Sequence, residues 1–114
     1  MDDYYTTGER EFLLKIARIS LERFLFANEK YEPQTINKKL WEKRGVFVAL
    51  SDGNGPRGNA GSSEPIESLI IAIRDNALTA ANDPKFDRLE PGELDDIRIE
   101  MSITLDDETI KFSE

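Results

Sequence analysis

The sequence predicts an α+β domain in which a small antiparallel sheet with a glycine-rich hairpin packs against two main helices. Three observations predict it. Apolar stripes of helical period run through residues 13–25 and again through 66–80. A dense β-branched and aromatic run at 44–50 is followed by Asn54-Gly55, a strong hairpin signal. Residues 97–103 alternate between apolar and polar, the pattern of a half-exposed antiparallel strand.

Each element has its own local justification. Thr6-Thr7-Gly8-Glu9 has the spacing of a capping box, with Thr6 as N-cap and Glu9 three residues on, so a helix is expected from there to about Asn28. Leu13, Ile16, Leu21 and Phe24 form its stripe, widened by Phe12, Ile19 and Leu25, and Pro33 closes the segment. Residues 34–43 carry a short helical turn anchored by Leu40 and Trp41. The run 44–50 is apolar on both faces, which marks a central strand. Its hairpin partner, residues 56–61, is poor in strand formers and is expected to be short or irregular. Ser62 or Ser63 N-caps the second helix, with Pro65 in its first turn. Ile66, Leu69, Ile70, Ile73, Ala77 and Ala80 make its apolar face, and Asn82-Asp83-Pro84 ends it. Residues 87–96 read as a loop with one turn near 91–94. Asp106-Asp107-Glu108 opens an acidic tail over 105–114.

The length of 114 residues is that of a single domain, expected to run over 1–114, and it suffices to bury roughly two-thirds of the unfolded surface. No stretch of about 18 uncharged apolar residues exists to cross a membrane. The N-terminal residues 1–5 lack the basic and apolar regions of a secretory signal, so a cytoplasmic location is expected. Cysteine and histidine are absent. That removes disulfides, thiolate nucleophiles, the commonest general base near pH 7 and the ordinary zinc ligands, and with them Ser-His-Asp and Cys-His catalysis. Net charge is −8, placed unevenly: residues 1–50 carry nine Lys/Arg and eight Asp/Glu, residues 51–114 six and fifteen. Such a field repels a phosphate backbone, so no nucleic-acid partner is expected.

Gly53-Asn54-Gly55-Pro56-Arg57-Gly58 matches G-x-G-x-x-G by letter. A dinucleotide site needs the third glycine inside a helix that faces the pyrophosphate, and here Pro56 interrupts the turn; a glycine-rich hairpin accounts for it better. Arg57 carries more chemistry. Beside Gly58, Gly61 and the start of a helix, its guanidinium and free backbone N–H groups can hold a small anion. The plainer alternative is an ion pair with Glu64 or Glu67. Ser62-Ser63 lacks a base and reads as a cap. The acidic loops, including Asp83, match no metal-binding spacing, so no metal site and no cofactor is assigned.

Three stretches together resemble the AMMECR domain family. Trp41-Glu42-Lys43-Arg44-Gly45-Val46-Phe47-Val48-Ala49-Leu50 is similar to the family's R-G-V-F-V-T-L strand. The hairpin, the following helix and Asn82-Asp83-Pro84-Lys85-Phe86 sit where the family has A-A-x-x-D-P-R-F. Glu93-Leu94-Asp95-Asp96-Ile97-Arg98-Ile99-Glu100-Met101-Ser102-Ile103 resembles E-L-x-x-(I/L)-x-(I/V)-E-(V/I)-S-(V/I)-L. In the family's L-R-G-C-I-G hairpin strand the cysteine position is here Asn59, and the histidine that often precedes D-P-R-F is Asn82. The family domain is also longer, so this chain reads as a short or truncated form. The resemblance implies an α+β fold and an unsettled activity, with some prokaryotic members encoded beside Memo-like and radical-SAM proteins.

The resulting reading is a non-catalytic binding or accessory module. It meets a protein partner or a small anion on the face near Arg44, Arg57, Gly58, Asn59 and Gly61, with no catalytic residue assigned. The alternative is an enzyme or enzyme subunit in a Memo- or radical-SAM-linked pathway that binds a small anionic substrate through Arg57 and Asn59. Self-association is expected, through residues 97–103 or the first helix. Arg57→Ala is expected to abolish anion binding without changing the melting temperature.

Overall fold

The computed structural model describes residues 4–114; residues 1–3, the start of the segment read for a signal, lie outside the described residues. Helix α1 (Thr7–Ala27) begins where the capping box places it. The Glu9 N–H donates to Thr6 Oγ1 at 3.0 Å, and the Thr6 N–H donates to Glu9 Oε1 at 2.9 Å. The helix ends at Asn28, whose φ of 54° lies in the left-handed region. Its buried face is Leu13, Leu14, Ile16, Ala17, Ser20 and Leu21, while Ile19 and Phe24 stay partly exposed. The expected turn near Leu40 is a short 3-10 segment, Lys38–Trp41.

Strands β1 (Gly45–Asp52), β2 (Gly55–Ser62), β3 (Arg98–Thr104) and β4 (Thr109–Ser113) form one antiparallel sheet in the order β2-β1-β3-β4. β1 is internal, as its composition requires, but only one of its faces is covered. Val46, Val48 and Leu50 point into the core with Ile99, Met101, Ile103 and Ile110, whereas Phe47 on the other face is 39% exposed. Helix α2 (Leu69–Ala81) packs on β1 and β2, and α1 packs on α2 and β3, so both helices share one side of the sheet.

Four expectations need correction. β2 is not short: it spans eight residues, seven of which pair with β1, and its irregularity is a single bulge. Ladder hydrogen bonds need only backbone, and the small residues of β2 let α2 lie close. A Cβ built on Gly58 would stand 2.1 Å from the Ala80 carbonyl oxygen. The hairpin turn is not centred on Asn54-Gly55. Gly53 and Asn54 are the turn residues, the Asp52 carboxylate accepts from the Asn54 N–H at 2.8 Å, and positive φ falls on Gly55.

Helix α2 starts at Leu69 with Ser68 as N-cap, not at Ser62 or Ser63. The preceding residues are extended against 42–44: the Arg44 N–H donates to the Glu67 carbonyl at 3.3 Å and the Leu69 N–H to that of Glu42 at 2.8 Å. Backbone already used in this pairing cannot also be helical. Pro65 and Ile66 therefore lie outside α2, and Ile66 is 66% exposed. The acidic tail is folded: Asp106, Asp107 and Glu108 lie in a turn closed by a 2.8 Å bond from the Leu105 N–H to the Glu108 carbonyl, and β4 returns along β3. This places β3 between two strands, so residues 97–103 offer no free strand edge for self-association.

Candidate functional site

Arg57 is the extra residue of the β2 bulge: Leu50 pairs with Gly58 and Ser51 with Pro56, leaving Arg57 without a cross-strand partner. The bulge aims its side chain off the sheet toward the second 3-10 segment, Pro91–Asp96. There Nε and Nη2 donate to the two carboxylate oxygens of Glu93, each at 2.8 Å. Nη1 donates to the Asp87 carbonyl at 2.6 Å and Nη2 to that of Arg88 at 3.4 Å. The Glu93 carboxyl is held below the usual carboxylate range by the Arg57 hydrogen bonds and then by the Glu90 N–H, which donates to it at 2.8 Å. The ion-pair partner is thus Glu93, not Glu64 or Glu67. Arg57 still borders an open hollow of about 620 Å³ together with Phe86, Asp87, Arg88, Glu90 and Glu93.

Gly58 and Asn59 lie elsewhere. Gly58 faces α2, and its backbone contact with Ala80 leaves no room for a side chain. Asn59 projects from the opposite face, beside a hollow of about 260 Å³ that also involves Ala49, Ser51, Arg98 and Glu100. Its backbone N–H donates at 3.1 Å to Asp83 Oδ2, and Asp83 Oδ1 accepts from the Lys85 N–H at 3.0 Å. Asp83, weighed as a cation ligand, is instead a buried clasp joining the end of α2 to the edge of β2. Among the described residues no cluster of three acidic groups could hold a metal ion.

Arg44 and Gly61 border a third hollow, of about 250 Å³. Gly61 has φ of 154°, and a Cβ there would stand 2.3 Å from the Val46 carbonyl oxygen. The Arg44 guanidinium turns toward the start of α1, where Nη2 donates to Glu42 Oε1 at 3.3 Å and the group lies 5.5 Å from the centre of the Tyr4 ring. Tyr5 beside it is fully buried, and burial, only partly offset by Arg44, pushes its hydroxyl up to about 12. The five residues expected to share one site therefore fall into three places. Glu93 and Asp83 organise two of these. Asp83 was weighed only as a cation ligand and Glu93 not at all as a partner of Arg57, because each acts through a partner distant in sequence.

The family model described as AMMECR1 matches residues 14–114. The chain belongs to the AMMECR1 family. Among its relatives, Protein MK0488 of Methanopyrus kandleri is 37% identical over 107 residues, covering 90% of this chain and 52% of that one. Protein PYRAB00100 of Pyrococcus abyssi is 37% identical over 108 residues, covering 89% and 53%. The crystal structure of uncharacterized protein PH0010 from Pyrococcus horikoshii superposes with a TM-score of 0.77 at 35% identity, over 82% of this chain and 49% of that one. The chain spans about half the length of the curated relatives it matches. In this AMMECR1 chain, the glycines on either side of Asn59 are explained by close backbone approach at Ala80 and Val46, which does not depend on a thiol between them. No helix of the described residues is long and apolar enough to cross a membrane.

Proposed function

We propose that this AMMECR1 chain is a binding or accessory module and not a catalyst, and that it makes contact on the open side of the hairpin, where Asn59 and Gly61 lie beside Phe47. The observation that supports this reading is the engagement of Arg57. A catalytic anion site needs its cation free to meet charge as it develops in the substrate. Here a bidentate carboxylate and two carbonyls occupy the guanidinium, so an incoming anion must first displace Glu93. Arg44 is likewise engaged and lines a different hollow. The open sheet face, in contrast, presents an exposed aromatic ring among small residues, with the Asn59 amide beside it.

A second reading, an enzyme or enzyme subunit acting on a small anionic substrate in a Memo- or radical-SAM-linked pathway, draws support from Arg57 and Arg88 bordering the same hollow. A thermal-shift screen with phosphate, sulfate and small carboxylates, followed by turnover assays on every hit, separates the two. The binding reading expects no hit to be converted. Conversion of an anionic compound that is lost in a folded Arg57→Ala variant overturns it in favour of the enzyme.

A further inference from the structure

We infer that Asn54 is a site of spontaneous covalent modification, at which the hairpin tip loses ammonia and passes through a cyclic imide to an aspartyl or isoaspartyl residue. The co-reactant is water, and the step needs neither an enzyme nor a cofactor.

The chemistry is set by the neighbour in sequence. Six asparagines occur in the chain, and only Asn54 is followed by glycine. The attacking atom is the backbone nitrogen of that next residue, so its side chain decides how closely the nitrogen reaches the asparagine Cγ. Gly55 has no side chain, and even a Cβ built there would meet nothing within 4 Å. Asn54 is exposed, and its side-chain amide makes no hydrogen bond among the described residues. The amides of Asn37, Asn76 and Asn82, in contrast, donate to the Glu9 carboxylate at 2.8 Å and to the Ala72 and Leu78 carbonyls at 2.9 Å.

Ring closure needs backbone freedom at the reacting pair, and the end of the hairpin supplies it. The ladder is thin there. After Asp52–Gly55 the next pair is Ser51–Pro56, and proline has no N–H to donate. Arg57 then bulges out, so uninterrupted pairing begins only at Leu50–Gly58. From that pair inward the strand also carries α2, with Gly58 against the Ala80 carbonyl. Residues 53–56 therefore open locally while the rest of the sheet stays paired.

The atoms balance without an outside reagent. The Gly55 nitrogen gives its proton to solvent and bonds to Asn54 Cγ. The Cγ–Nδ2 bond breaks, and the amide nitrogen takes a proton from solvent and leaves as ammonia. Water then opens the imide at either carbonyl. Cleavage of the new N–Cγ bond restores the ordinary backbone and leaves an aspartyl side chain. Cleavage of the original peptide bond routes the chain through the side chain, which lengthens the turn by one methylene and leaves an isoaspartyl residue. Either product adds one negative charge to the −8 of the chain, beside the Asp52 carboxylate that accepts the N–H of residue 54.

The test is incubation of the whole folded chain for days at mildly alkaline pH, followed by peptide mass spectrometry. The expected result is a gain of about one dalton in the peptide that holds Asn54, faster at higher pH because the attacking nitrogen must lose its proton. The gain is lost in Asn54→Gln, whose longer side chain would have to close a less favoured six-membered ring. Glutamine fits the turn, since Asn54 does not have a positive φ. The same chain unfolded in guanidinium chloride gives the unprotected rate, and the folded rate is expected within about a hundredfold of it. A folded rate lower by more than that shows the ladder shielding the tip and overturns the inference. Conversion at any other asparagine ahead of Asn54, or an equal mass gain in Asn54→Gln, also overturns it.

Discussion

Replacing Arg57 by alanine separates a structural clasp from a ligand site. The substitution removes two charge-assisted bonds to Glu93 and the bonds to the Asp87 and Arg88 carbonyls. A hydrogen bond to a charged group contributes about 1.5–3 kcal/mol when well shielded. Here the Arg57 side chain is 14% exposed and that of Glu93 is 32% exposed, and Asp87 and Arg88 are at the surface. Water therefore takes over much of what is lost, and the pair must be discounted for screening. A net loss of about 2 kcal/mol follows, or roughly 6–8 °C in melting temperature for a domain of this size. This reverses the expectation from sequence that the variant melts like the wild type. Urea unfolding of the wild type, Arg57→Ala, Glu93→Ala and the double variant measures it, with a coupling energy of about 1 kcal/mol between the two sites. The pH dependence has a definite sign. The folded pKa of Glu93 is depressed, so its contribution is present above the ordinary carboxylate value near pH 4.3 and is lost as pH falls through the lower folded value. The gap between the wild type and Arg57→Ala should narrow in that acid range. An Arg57→Ala protein with unchanged stability that has lost measurable phosphate binding would refute the reasoning.

Three further outcomes follow from the packing. Gly58→Ala should destabilise by about 1–3 kcal/mol in urea unfolding, because its methyl meets the Ala80 carbonyl and only a shift of α2 makes room. Thr6→Ala should cost about 1 kcal/mol, whereas Ser68→Ala should cost less than about 0.5 kcal/mol, since Thr6 caps α1 with its side chain and Ser68 makes no such bond. At Glu9 burial raises the pKa, but the bonds from Lys39, the Thr6 N–H and Asn37 outweigh it and hold the carboxyl at about 2. Its stabilising effect is complete above the unfolded value and is lost as pH falls toward 2; a Glu9→Gln variant should show a smaller acid-induced drop in the urea midpoint between pH 5 and pH 2.

What could be read in advance was what is local in sequence. The capping box at Thr6, the internal strand at 44–50 and the alternation at 97–103 each encode their structure within a few residues, and all three stand. The α2 start was misplaced because Ser63 and Pro65 are sound helix-start signals that lost to a non-local pairing with 42–44. β2 was underrated because propensity scores side chains, whereas this strand is held by ladder bonds and by α2 packed onto its glycine. β4 was hidden because five residues after an acidic turn carry too little pattern to separate from a tail. The site suffered most. Arg57, Asn59 and Arg44 are near one another in the sequence, but the bulge sends Arg57 to one hollow and the pleat sends Asn59 to another face. Glu93 lies 36 residues from Arg57, beyond the reach of any spacing rule.

The central claim is that contact is made on the open face of the sheet and not in the Arg57 hollow. Backbone amide shift mapping by NMR tests it most directly, in a series of added phosphate. The account predicts that the amides of Arg57 and residues 86–93 stay unmoved as phosphate is added, because Glu93 and the Asp87 and Arg88 carbonyls already occupy the guanidinium. Phosphate-dependent shifts clustered at Arg57 and 86–93 would contradict it.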